Sequence, residues 1–137
     1  MKRPAPIDEE HLFKEGVIVS STDLKGIITY ANRKFCEISG YDKKELVGKN
    51  HNIVRHPDMP KAAFKEMWDT IQQGNDWTGI VKNLRKDGKY YWVHTHISPV
   101  KDNDGNIIGY TAARRPASEN EKRESIETYR KMLAQEQ

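Results

Sequence analysis

The stretch Tyr30-Ala31-Asn32-Arg33-Lys34-Phe35-Cys36-Glu37-Ile38-Ser39-Gly40-Tyr41-Asp42-Lys43-Lys44-Glu45-Leu46-Val47-Gly48 decides the architecture, because its periodicity changes within one short span. It leaves a β-branched run, Gly26-Ile27-Ile28-Thr29-Tyr30, and from Asn32 takes up helical spacing with Phe35, Cys36 and Ile38 as core positions. Gly40 supplies the helix stop, and Asp42 caps a second short turn through Leu46-Val47-Gly48. Upstream lies another β-branched run, Val17-Ile18-Val19-Ser20-Ser21-Thr22. The intervening Asp23-Leu24-Lys25-Gly26 has turn chemistry, so the two runs read as a β-hairpin.

Downstream, His51-Asn52-Ile53-Val54-Arg55-His56-Pro57-Asp58-Met59-Pro60 gathers two imidazoles, a guanidinium and a carboxylate in a segment too poor in apolar residues to form core. Met59-Pro60 then opens a longer helix with Ala63, Phe64, Met67, Trp68 and Ile71 on one face, and Gly74 ends it. The second half is strand-rich. Trp77 to Leu84 and Tyr90 to Val100 flank the turn Arg85-Lys86-Asp87-Gly88-Lys89, and Asp102-Asn103-Asp104-Gly105-Asn106 leads into a last strand from Ile107. The tail from Ser118 is helical by propensity, with Ser118 and Glu121 spaced as a capping box. Its thin stripe of Ile126, Tyr129 and Leu133 suits a signalling or pairing helix, with packing on its own domain the competing reading. Residues 1–15 form a polar cap or arm with a helix-capable piece around Asp8 to Lys14.

A chain of 137 residues fits one compact domain. Its 23 Lys+Arg against 20 Asp+Glu give a net charge of +3 with the signs interleaved, which argues against nucleic acid as a partner. No apolar run approaches the roughly 20 residues of a membrane span, and the start lacks a secretory core, so a cytoplasmic segment without direct membrane insertion is expected. The single cysteine, Cys36, excludes an internal disulfide and an all-cysteine metal site.

Two early and three late strands with helices between them describe an α+β fold: a five-stranded antiparallel sheet with short helices packed over one face, plus an N-terminal cap and a C-terminal helix. The space between helices and sheet is a natural pocket. The opening stretch, followed by Trp77-Thr78-Gly79, Asn83-Leu84-Arg85-Lys86-Asp87-Gly88, Tyr91-Trp92-Val93, Pro99-Val100 and Gly105-Asn106-Ile107-Ile108-Gly109-Tyr110, resembles a PAS domain. That domain would span 16–116, with an arm at 1–15 and a signalling or linker helix at 117–137. The segment His51 to Phe64, with Trp77 to Asn83, resembles more narrowly the FAD-binding PAS domain of bacterial aerotaxis (energy-taxis) receptors.

The residues suit a flavin in their own right. An isoalloxazine ring needs apolar walls and amide-type partners along its polar edge. Trp68, Trp77 and Trp92 can supply walls, and Asn83, on a strand, can both donate and accept, with Asn32 and Asn52 as further amides. A diphosphate asks for cations and N–H donors, which Arg55 and His56 before a helix N-terminus offer. The resemblance implies that Arg55, His56 and Asp58 matter for FAD binding. It also implies that reduction of the flavin beside Asn83 and His51 is the signal. The implied partner is a chemoreceptor-type signalling module, in the same chain or in a separate receptor at the inner membrane, with a homodimer as a further arrangement.

Plainer readings stand beside these. Trp68, at helical spacing with Phe64 and Ile71, suits core, and Asp58 suits a simple N-cap. His94 and His96 share a strand face but lack a third metal ligand, while Lys61, Lys65 and Glu66 suit a solvated helix face. Cys36 is on the first helix and the Asn-Cys-Arg-Phe-type motif of light-sensing flavin domains is missing, which argues against blue-light adduct chemistry. No nucleophile, base and orienting acid occur at recognisable spacing, so no enzyme is expected. The alternatives to flavin are haem ligated by His51 or His56, and a cofactor-free dimerisation or partner-binding module.

Overall fold

The computed structural model describes residues 3–136. Five strands, β1 (Ile18–Thr22), β2 (Ile28–Ala31), β3 (Trp77–Leu84), β4 (Tyr90–Lys101) and β5 (Ile107–Pro116), form one antiparallel sheet in the order β2-β1-β5-β4-β3. The early hairpin therefore joins the late strands through β1 and β5, with Ile18 opposite Arg114 and Ser20 opposite Ala112. Because strand side chains alternate between faces, Ser20, Val81, Asn83, Thr95, Ile97, Tyr110, Ala112 and Arg114 all look to one side.

Over that side run the helices α1 (Arg33–Ser39), α2 (Lys43–Leu46) and α3 (Lys61–Gln72), with a single 3-10 turn at His51–Val54 between the last two. Each boundary has a local cause. The Asn32 side chain accepts from the Phe35 amide, and Gly40 ends α1 at φ 80°, a conformation that a Cβ disfavours. Asp42 and Glu45 form a reciprocal capping box on α2. Apolar residues of α1, the 3-10 turn and α3, chiefly Phe35, Ile38, Ile53, Val54, Ala63 and Ile71, close the core against the sheet.

Two expectations change in three dimensions, and one open choice is decided. The piece around Asp8 to Lys14 is extended instead of helical: Glu10 pairs in parallel with Tyr90, where the Tyr90 amide donates to the Glu9 carbonyl and the His11 amide to the Tyr90 carbonyl. A short isolated helix is marginal in water, and these strand-type bonds outcompete it. Asp58 does not cap the long helix. Its N-cap is Pro60, whose ring carries no side-chain acceptor. The C-terminal helix α4 (Glu119–Gln135), capped by Ser118 and Glu121 as expected, does not stand away from the domain. Tyr129 and Met132 pack against the core, and the Tyr129 hydroxyl donates to the Ile80 carbonyl on the edge strand β3. That edge is further covered by Arg55, bridged to Asn83, so its unpaired backbone is not left as a template for other chains.

Candidate functional site

Between the helices and the sheet lies a cavity of about 800 Å³. Its floor is the inner face of β1, β3, β4 and β5. Its walls are the 3-10 turn and α3, and Leu133 in the last turn of α4 with Glu136 just beyond it completes its rim. The lining joins apolar groups (Phe64, Met67, Trp68, Ile71, Ile97, Tyr110) to a polar and charged set of similar number, with the cations Arg3, Arg55, Lys61 and Lys65 at the rim.

Of the residues singled out in the sequence, His51, Asn52, Arg55, Trp68 and Asn83 line this cavity. Trp68 meets the Tyr110 ring edge-on at 5.7 Å, and a Cβ on Gly26, which has a left-handed backbone at φ 85°, would press on its indole at 3.2 Å. Asn83 is buried on the floor. Arg55 stacks its guanidinium over the Phe64 ring at 4.0 Å, near the rim, where Arg3 donates to the carbonyls of Asn52 and Arg55.

The other five lie elsewhere. Asn32 is committed to the α1 cap and to β1, accepting from Val19 and donating to Val17. Trp77 is buried with its indole folded onto Gly79, where an added Cβ would sit 2.3 Å from the ring. Trp92 is on the outer face of the sheet beneath α4, beside Lys82. His56 is buried, and its Nδ1 accepts the Asp58 amide at 3.0 Å, which requires a neutral ring. Burial, together with the Lys82 charge, holds its pKa below the usual imidazole value. Asp58 turns outward to Lys82 at 2.9 Å. His56, Asp58 and Lys82 thus form a strut that ties the loop carrying Arg55 to β3.

The inner end of the cavity holds a residue that the sequence reading missed. Arg114, on β5, is buried, and no carboxylate pairs with it among the described residues. Its guanidinium donates to the Ser20 hydroxyl at 3.0 Å and to His51 Nε2 at 2.7 Å, and it lies over the Phe35 ring at 5.6 Å. Burial draws its pKa down to about 10, so it is still cationic at neutral pH. His51, stacked on Phe35, falls to about 3 under burial and the Arg114 charge and is neutral. Close by, the buried Thr95 hydroxyl, which also lines the cavity, has no hydrogen-bond partner. A buried cation without a counter-ion and an orphaned hydroxyl on one cavity floor suit a ligand with an electron-rich polar edge. The signal for Arg114 was present in the alternation Tyr110, Ala112, Arg114, which places it on the inner face.

Outside the cavity, His94 and His96 are on the outer sheet face, and His96 pairs with Asp76 at 2.8 Å. Among the described residues no three metal-ligating side chains converge, and no helix is long and apolar enough to cross a membrane.

Comparison with known proteins agrees with this geometry. The aerotaxis receptor of Escherichia coli (strain K12) is 48% identical over 110 residues, which cover 80% of this chain and 22% of the receptor. The nitrogen fixation regulatory protein of Klebsiella pneumoniae is 35% identical over 102 residues, covering 74% of this chain and 21% of that protein. The chain thus spans about a fifth of the length of these relatives, which are named as a receptor and a regulator. Among solved structures, a light-oxygen-voltage domain studied with a flavin analogue superposes with a TM-score of 0.73 at 24% identity, covering 83% of this chain and 87% of that one. A PAS domain from Colwellia psychrerythraea gives 0.68 at 25% identity, covering 74% and 86%. A family model described as PAS fold matches residues 28–114, the hairpin's second strand through the buried arginine, and the chain therefore belongs to the PAS fold family.

Proposed function

We propose that this domain is a flavin-binding redox sensor, that its ligand is FAD, and that its output passes through the arm or α4 to a chemoreceptor-type module. The observation that carries the reading is the unpaired Arg114 cation beside neutral His51 at the closed end of the cavity, with Asn83 and Thr95 on the same floor. Flavin supplies reversible electron uptake, and an added electron makes the polar edge of its ring more negative. A fixed buried cation favours that state, and the His51–Arg114 bond is the contact in which a change of charge would be felt. The aerotaxis receptor among the relatives supports the sensory assignment, and Arg3, Arg55 and Lys61 at the rim supply charge for a diphosphate.

The same geometry counts against haem. His51 Nε2 accepts from Arg114, and His56 is buried outside the cavity with Nδ1 engaged, so neither imidazole is free to ligate.

The test is the visible spectrum and acid-extracted cofactor of the purified protein, with alanine variants of Arg55, His56 and Asp58. Flavin bands with extractable FAD are expected in the parent. Arg55→Ala should weaken FAD by about tenfold through loss of a direct charge-assisted contact. Asp58→Ala and His56→Ala should lower occupancy by loosening the loop. A parent protein with a Soret band or no visible band, or full FAD occupancy in all three variants, would overturn the assignment.

A further inference from the structure

The N-terminus of α3 has no cap of its own, since Pro60 precedes it. The missing partner comes from the far end of the domain. The Glu136 carboxylate, just past α4, accepts the Lys61 amide at 3.3 Å and the Ala62 amide at 3.0 Å, each through a different oxygen. These are the first amides of a twelve-residue helix, where the aligned backbone dipoles favour an anion. The carboxylate also sits on the cavity rim with Leu133, and its charge is felt by Arg55. The rim of the cavity is otherwise cationic, with Arg3, Arg55, Lys61 and Lys65. One negative group of the chain itself thus occupies the place on the rim best prepared for a negative group of a ligand.

We infer that Glu136 is an internal competitor for the phosphate end of a bound flavin nucleotide, so that phosphate entry displaces the last turn of α4 from α3. The inference rests on the flavin reading given above. It makes ligand occupancy and docking of the α4 end oppose each other, and by linkage a partner that pulls α4 away tightens the nucleotide by the same factor. It also makes Glu136 a specificity residue, since a flavin without phosphate has nothing with which to compete.

The test is titration of the flavin-free protein and its Glu136→Gln variant with FAD, FMN and riboflavin, followed by flavin fluorescence. Glutamine keeps an oxygen acceptor but removes the charge. The expected result is a gain of about three- to fivefold in affinity for FAD and FMN, the size of a helix-terminus charge effect, with no gain for riboflavin. The gain should shrink in about 0.5 M salt, because the carboxylate is exposed and screened. Equal tightening of riboflavin, or no tightening of any flavin, overturns the inference and leaves the flavin reading standing. Failure of all three to bind the parent protein overturns both. As an independent readout, amide exchange at residues 130–136 should speed up on saturation with FAD and stay unchanged with riboflavin. Slower exchange with FAD would mean that α4 closes on the ligand, and would also overturn it.

Discussion

At the scale of the single residue, Arg114 is the least expected feature of the molecule. A guanidinium taken out of water without a carboxylate is held only by Ser20, His51 and the face of Phe35. Such a group is retained at the expense of stability, and apolar replacements of buried charges are often neutral or stabilising by about 1–4 kcal/mol. Arg114→Met should therefore leave the denaturant midpoint of the flavin-free domain unchanged or higher while weakening flavin about tenfold or more. A variant that unfolds more easily and binds as before would make Arg114 a structural residue. Much of the rest of the site was legible from residue type: Asn83, His51, Arg55 and Trp68 do line the cavity. The five that lie outside the cavity share one feature. Asn32, His56, Asp58, Trp77 and Trp92 have the right chemistry for a flavin site, but capping, loop bracing and packing use the same chemistry, and only the course of the backbone separates the two uses.

At the scale of the element, the arm illustrates how tertiary pairing overrides local propensity. Residues 7–11 bond to the backbone of Gly88 and Tyr90, and Lys122 of α4 pairs with Glu10 at 2.8 Å, so both flanking segments meet at one corner of the sheet. The arm passes so close to the β3–β4 turn that a Cβ on Gly88 would sit 2.5 Å from the Ala5 carbonyl oxygen. Gly105, in the other tight turn, has the same left-handed backbone and nothing near its missing Cβ. Gly105→Ala should cost about 1–2 kcal/mol from backbone strain alone. Gly88→Ala should cost that and also release the arm, seen as faster limited proteolysis within residues 3–12. Equal proteolysis of the two variants would show that the arm is not held at Gly88. The hairpins, the turns and the caps at Asp42 and Ser118 behaved as read from sequence because their determinants, Asp-Gly pairs and Asp or Ser caps, act within a few residues, whereas Asp58, drawn outward to Lys82, is the cap that did not form. The lie of α4 could not be read that way. Its stripe of Tyr129 and Leu133 is compatible with a partner helix or with its own domain, and the edge of β3 resolves the choice.

At the scale of the whole molecule, stability carries the signature of two histidines held neutral. The folded pKa of His51 lies near 3 and that of His56 is lowered, while both rise to the ordinary value of about 6.5 on unfolding. Between those values the unfolded chain binds more protons than the folded one, so the stability is full above about pH 6.5 and is lost as pH falls toward 3. Each histidine can contribute a slope of up to about 1.4 kcal/mol per pH unit in its own window. His51→Asn should flatten the dependence of unfolding free energy on pH between about 6 and 4. An unaltered slope in denaturation curves at three pH values would show that His51 charges without penalty. The sequence by itself determined the strands, the caps, the order of elements and hence the PAS fold, because periodicity and turn chemistry are local and the sheet has few ways to assemble from them. The tertiary structure alone decided which polar groups meet. Arg114 reaches His51 across 63 positions, and Glu136 reaches α3 across 74 and 75. Those encounters depend on the crossover of β5 to β1 and on the docking of α4, and no window of sequence contains both partners.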